Sequence, residues 1–262
     1  MTDAKVELSG VTAGYAGADV LRGLSLRVDA GQLCAVIGPN GAGKSTLVRL
    51  LSGALPLRAG RVLLDGEDLV ALDRRAIARK VAVVPQAVEV ALGFSVREVI
   101  MMGRAPYQGA WMQASEADHA AVAAAIEACE LDDFAGRPVA ELSGGEQKRV
   151  AIARALAQQA PILLLDEAAA HLDVRHSIGL HELVRRELER RGLACVAVLH
   201  DLNAAARYAD RVALLKGGQI VAEGPVEEVM TYRRLRDAFE TELYVGVNEL
   251  DGARYFLPFR PR

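Results

Sequence analysis

At 262 residues, 52% hydrophobic and 25% charged, the chain has apolar content enough for one large α/β domain with an insertion, or for two modest domains. A formal net charge of −3 excludes the basic field that would recruit nucleic acid through counterion release, so no nucleic-acid partner is expected. Three cysteines, Cys34, Cys129 and Cys195, stand far apart with no CxxC pair, which excludes a disulfide framework or a zinc knuckle and leaves them as small buried apolar residues.

The opening "MTDAKVELSG" lacks the charged-then-apolar order of a signal peptide, and nowhere do roughly 18 apolar residues run together. A cytosolic chain is expected, with membrane contact only through a partner. Tyr15, in "GYAGADVL", reads either as an aromatic that stacks on adenine or as a plain turn tyrosine. The apolar run "LCAVIG" (33–38) predicts a strand and "KSTLVRLLSG" a helix closed by glycine. Between them "GPNGAGKST" fits G-x-x-x-x-G-K-[ST] in the strand–loop–helix context that a phosphate loop needs. Over Gly38, Pro39, Asn40, Gly41, Ala42, Gly43, Lys44, Ser45 and Thr46, backbone amides and a helix N-terminus would cradle β- and γ-phosphates. Lys44 would neutralise their charge, and the Ser45 hydroxyl would coordinate Mg²⁺.

"KVAVVPQ" (80–86) predicts the next strand, closed by Gln86, which on its own reads as an ordinary polar strand end although it could ligate Mg²⁺ or water. From 87 to 159 no strand is predicted, while "VREVIMMGR", "SEADHAAVAAAIEACEL" and "GEQKRVAIARALAQQ" all favour helix. Within this stretch "LSGGEQKR" places Ser143, Gly144 and Gly145 directly before a helical run from Glu146, a second anion cradle in one chain.

"PILLLDE" (161–167) is an apolar strand ending in two carboxylates. Beside a phosphate loop at the carboxyl edge of a parallel sheet, Asp166 would hold Mg²⁺ through its water. Glu167 would face the γ-phosphate as general base, a role typically contributing about 10²–10⁴-fold in rate. "IGLHELVRRELERRG" predicts a helix; His171, His176 and His181 are five apart, which turns them away from one another, so they are expected to be solvated and not to share a metal. "ACVAVLHD" (194–201) is a strand aiming His200 at the same edge, where it is either a polar reader of the γ-phosphate or a satisfied strand-end histidine. "LNAAARYA" predicts a helix and "DRVALLKGG" (210–218) a strand. After 231, "LYVGVNEL", Asp251-Gly252 and "ARYFLPF" read as a hairpin with a tight turn.

Taken together, Gly38 to Thr46, Gln86, "LSGGE", "ILLLDE", Asp173 and His200 resemble, in order and spacing, the nucleotide-binding subunit of an ATP-binding cassette transporter across about residues 4–230. The resemblance implies a P-loop NTPase α/β core, with a parallel sheet flanked by helices and an N-terminal antiparallel β part, plus an inserted helical subdomain. On this basis residues 1–86 and 160–230 form the nucleotide-binding core, 87–159 the helical subdomain, and 231–262 a tail. It also implies ATP and Mg²⁺ as cofactors, Tyr15 under adenine, and Ser45, Gln86 and Asp166 at the metal. Glu167 would be the base, His200 would meet the γ-phosphate, and Asp173 would make a contact across a head-to-tail homodimer sandwiching two ATP molecules. In such a dimer Ser143, Gly144, Gly145 and Glu146 serve the ATP held by the other subunit, which would explain two cradles in one chain.

A finer resemblance, in "FSVREVIMMGRAPY" (94–107), "VLHDLNAAARYADRVALLKGGQIVAEG" (198–224) and "EEVMT", is to importers of the iron-siderophore, haem and vitamin B12 type; zinc and manganese importers share much of it. It implies two permease subunits, met through the helical subdomain around 95–107, a periplasmic binding protein acting indirectly, and a peripheral place on the cytoplasmic side of the membrane. One departure stands out: where the family usually has glutamate-proline-threonine and then serine or asparagine, this chain has Ala168, Ala169 and Ala170. Alanine frees the backbone and removes hydroxyls, so an ATP-dependent clamp with weak hydrolysis is the alternative to a motor.

Overall fold

The structure, a computed structural model, describes residues 3–86, 93–109, 113–170, 172–250 and 252–259. Strands β1 (Ala4–Tyr15) and β2 (Ala18–Asp29) bury alternate residues and pair antiparallel, with Val6 opposite Val28 and Leu8 opposite Leu26. They are followed by β3 (Leu33–Ile37), α1 (Lys44–Leu51), β4 (Leu57–Leu64), β5 (Glu67–Asp68), α2 (Arg74–Lys80) and β6 (Val81–Val84). Three helices come next: α3 (Val96–Met101), α4 (Glu116–Ala128) and α5 (Gly144–Ala157). The rest of the body is β7 (Ile162–Asp166), α6 (Val174–Arg191), β8 (Ala194–Val198), α7 (Leu202–Tyr208), β9 (Arg211–Lys216) and β10 (Gln219–Pro225). Two short helices, α8 (Val226–Val229) and α9 (Tyr232–Phe239), lead to a hairpin of β11 (Leu243–Val247) and β12 (Arg254–Pro258).

Two sheets form the body: an antiparallel one in the order β2-β1-β4-β5, and a six-stranded one in the order β10-β9-β3-β8-β7-β6. In the second, β6, β7, β8, β3 and β9 run parallel and only β10 is antiparallel. Its central strands, LCAVI, ILLL and ACVAV, are buried on both faces, which is why they read as unbroken apolar runs. The period of two sorts them between two cores. Leu33, Ala35 and Ile37 pack under α3–α6, whereas Cys34 and Val36 pack with α1 and the antiparallel sheet. All three cysteines are buried and free, and burial pushes the Cys34 and Cys129 thiols up to about 12, so they are inert apolar fillers, as expected.

Among the described residues no strand lies between Val84 and Ile162. Helices α3, α4 and α5 each begin in a capping box, Ser95 with Glu98, Ser115 with Asp118 and Ser143 with Glu146. A buried ion pair between Arg104 and Asp118 (2.8 Å) and a bond from Arg104 to the Ala157 carbonyl (2.8 Å) tie the start of α4 to the end of α5.

Two expectations need correction. His181 is not solvated: it is 5% exposed, its ring stacks on Tyr208 with centroids 4.7 Å apart, and its Nδ1 donates to the Ser177 carbonyl (2.8 Å). The five-residue spacing governs how the histidines face one another and says nothing of which face α6 buries. His176 is partly exposed and pairs with Asp173, and His171 lies outside the described residues. The hairpin forms, but its connection is longer than a two-residue turn. The Asn248 carbonyl accepts from Gly252 N and Asn248 N donates to the Ala253 carbonyl, while Asp251 lies outside the described residues. The hairpin docks on α7: Phe256 is buried, its N–H donates to Asn203 Oδ1 (2.7 Å), and its carbonyl accepts from Asn203 Nδ2 (3.3 Å).

Candidate nucleotide site

Parallel pairing sets the carboxyl ends of β3, β6, β7 and β8 along one edge of the sheet, where the phosphate loop follows β3, Gln86 follows β6, Asp166 ends β7 with Glu167 next, and His200 follows β8. After β3 the backbone turns at Gly38, where φ is 151° and a Cβ would stand 2.0 Å from the Leu215 carbonyl oxygen. Only glycine passes there. Gly43 caps α1 in the left-handed region, and Lys44 opens the helix nearly buried, its Nζ donating to the carbonyls of Gly38 (2.8 Å) and Pro39 (3.0 Å). Burial lowers the pKa of the Lys44 ammonium, while Glu167 and Asp166 push it the other way. A cavity of ≈250 Å³ opens here, lined by Val20, Asn40, Gly41, Gly43, Lys44, Ser45, Thr46, Glu167 and His200.

The two carboxylates at the end of β7 have opposite surroundings. Asp166 Oδ1 is buried with no hydrogen-bond partner, and burial followed by the neighbouring Glu167 charge raises the pKa of its carboxyl. A buried acceptor without a donor suits a cation, and Ser45, Gln86 and Asp166 are the residues that could hold a hard divalent ion here. Glu167 has both oxygens engaged: Oε2 accepts from Gln86 Nε2 (2.6 Å) and Oε1 is paired with His200 Nε2. Residues 33 and 81 positions distant are thus brought onto one carboxylate by the strand order β8-β7-β6. Glu167 holds the left-handed φ of 52°, a strained conformation for a side-chain-bearing residue. The alanine segment closes behind it as a turn, with Ala170 N–H donating to the Glu167 carbonyl (2.9 Å) and Ala168 buried.

Tyr15 is 42% exposed and held at both ends: its hydroxyl accepts from Arg49 Nη1 (2.8 Å) and its carbonyl from Arg58 Nη2 (2.7 Å). Ser143, Gly144, Gly145, Glu146 and Asp173 do not line the phosphate cavity. Ser143 bonds Glu146, and the His176 ring stands between Asp173 and Gly145. Ser143 caps α5, and its hydroxyl and N–H hold the Glu146 carboxyl below the usual range. Asp173 caps α6, accepting from His176 N (2.9 Å) and His176 Nδ1 (2.7 Å), and the His176 ring lies so close to Gly145 that a Cβ would fall 2.5 Å from Cδ2. One chain therefore carries a phosphate loop with its carboxylates in one place and a glycine-led helix start with Asp173 in another.

Arg49, His176 and Lys148 are partners that the sequence reading missed. For Lys148 a signal existed: it falls with Gly145 and Ile152 on the buried face of α5, a charge within an apolar stripe.

Residues 21–170 match the family described as ABC transporter. The hemin import ATP-binding protein HmuV of Streptomyces coelicolor is 44% identical over 96% of this chain and 89% of its own length. The cobalamin import ATP-binding protein BtuD of Halobacterium salinarum is 40% identical over 98% of this chain, which spans 64% of that relative. A solved ABC transporter in an inward-facing conformation has a chain that superposes with a TM-score of 0.87 at 23% identity, covering 98% of both chains, and so shares the fold.

Proposed function

The chain belongs to the ABC transporter family, and from that premise we propose that it is the ATP-hydrolysing subunit of an importer for iron-siderophore, haem or vitamin B12 cargo. The hydrolytic role rests on one observation, the convergence of the phosphate loop, Asp166, Glu167, Gln86 and His200 on one sheet edge. ATP is bound with Tyr15 against adenine and with Gly38, Pro39, Asn40, Gly41, Ala42, Gly43, Lys44, Ser45 and Thr46 around the phosphates. Ser45, Gln86 and Asp166 hold Mg²⁺, which neutralises phosphate charge when bound.

Glu167 takes the proton from the water that attacks the γ-phosphate. His200, which pairs with Glu167 Oε1, meets the developing phosphate charge. The Ser143–Glu146 helix start and Asp173, which do not line this chain's own phosphate cavity, complete the site of a second copy in a head-to-tail homodimer. Residues 1–86 and 160–230 act as the nucleotide-binding core, 87–159 as the arm whose 95–107 face meets two permease subunits, and 231–262 as a tail that closes on α7. No helix among the described residues is long and apolar enough to cross a membrane, which suits a peripheral place under the permease, fed indirectly by a periplasmic binding protein.

The experiment is reconstitution with the co-purifying permease. Mg²⁺-dependent ATP hydrolysis coupled to uptake of a metal chelate or corrinoid is expected. ATP-dependent dimerisation without turnover would leave only a clamp, and uptake of free zinc or manganese would overturn the cargo class.

A further inference from the structure

Lys148 is 8% exposed and stands on the face of α5 that packs inward. A buried ammonium needs compensation, yet among the described residues Lys148 has no carboxylate in ion-pair range, and burial lowers its pKa without an opposing charge. Its Nζ donates instead to the main-chain carbonyl of Gln86, 62 positions earlier. Gln86 Nε2 donates to Glu167 Oε2 (2.6 Å), and Glu167 Oε1 is paired with His200. Hydrogen bonds joined through the covalent frame of Gln86 thus connect α5 to the phosphate end of the site.

We propose that Lys148 is a positioning residue for hydrolysis: it pins the backbone at Gln86, so that the Gln86 amide is aimed at Glu167. Helix α5 begins with Ser143–Glu146 five residues earlier, so the same rigid element that presents the second cradle also grips this chain's own Glu167 through Gln86. This deepens the proposed function and rests on the roles given there to Gln86 and Glu167. The bland reading is a lysine stem that merely packs, its charge finding the nearest carbonyl.

The two part on replacement by methionine, which fills similar space, removes the donor and leaves no buried charge to strain the fold. Loss of the pin loosens the Gln86 amide but leaves Tyr15, the phosphate loop and the other two magnesium-holding residues unaltered, so turnover at saturating Mg²⁺ and ATP should fall about 10- to 100-fold while KM for ATP stays within about threefold. Because the effect passes through the Gln86 amide, Lys148→Met added to Gln86→Ala should cause little further loss. A structural residue would shift the unfolding midpoint and would add to Gln86→Ala in full. Should Lys148→Met not fold, Lys148→Gln is judged by the same criteria.

The assay is steady-state phosphate release by the intact chain, with Glu167→Gln as control. Wild-type turnover in Lys148→Met, or full additivity with Gln86→Ala, overturns the inference while an inactive Glu167→Gln leaves the catalytic reading standing. Wild-type turnover in Glu167→Gln overturns both.

Discussion

Replacing Glu167 by glutamine separates shape from chemistry at this site. The carboxylate accepts from Gln86 Nε2 at 2.6 Å on one oxygen and pairs with His200 Nε2 on the other. A glutamine keeps the first contact with its carbonyl oxygen, and its NH₂ can donate to His200 Nε2 once that ring carries its proton on Nδ1. The pocket and the left-handed turn at residue 167 are therefore retained, and the proton acceptor is lost. General-base catalysis is worth about 10²–10⁴-fold, or about 3–5 kcal/mol of barrier, so phosphate release at saturating Mg²⁺ and ATP should fall by that factor. Nucleotide affinity, followed by fluorescence of a labelled ATP, should stay within about threefold, because that change amounts to less than 1 kcal/mol. Turnover within tenfold of wild type would refute the assignment of Glu167 as base. A parallel collapse of nucleotide affinity would refute the claim that the amide preserves the site.

Two further outcomes are expected. Gly38→Ala drives a Cβ to 2.0 Å from the Leu215 carbonyl at a φ of 151°, so it should cost at least about 2 kcal/mol of stability in denaturant unfolding and weaken ATP binding; an unchanged midpoint would mean that the loop leaves β3 another way. Burial lowers the His181 pKa below its ordinary 6.5, so the unfolded chain takes up the proton first as pH falls. The His181 contribution is thus fully present above about pH 6.5 and is lost as pH drops from there toward the folded value. His181→Phe, which keeps the stack on Tyr208, should flatten that part of the stability profile, and an unaltered slope would assign it elsewhere.

The parts of the site that were legible in the sequence are those whose chemistry is local. A phosphate loop needs glycines where the backbone folds on itself, and fully buried parallel strands must be apolar along their length, so the β3 turn and the ends of β7 and β8 could be placed from residues alone. The antiparallel sheet was expected only through the family resemblance, because β1 and β2 interrupt their alternation with register shifts around Ser9 to Thr12. The capture of both Glu167 oxygens, the pin from Lys148 and the packing of His176 on Gly145 depend on strand order and on how α5 and α6 cross the sheet, and no short-range pattern encodes them. Helix α9 carried no expectation because it buries only Leu235 and Ala238 in eight residues.

Assembly tests the central claim that each nucleotide site is built from two copies. Glu167→Gln should trap ATP, so its mass by light scattering should rise with ATP from the 28.0 kDa of one chain to twice that value and return when ATP is removed. In the same background Gly144→Asp should stay monomeric while still binding ATP, since a Cβ at Gly144 meets nothing within 4 Å among the described residues of its own chain and the added charge would oppose a phosphate brought by another. A Glu167→Gln chain that binds ATP and remains monomeric, or a Gly144→Asp form that dimerises as well as its parent, would contradict the account.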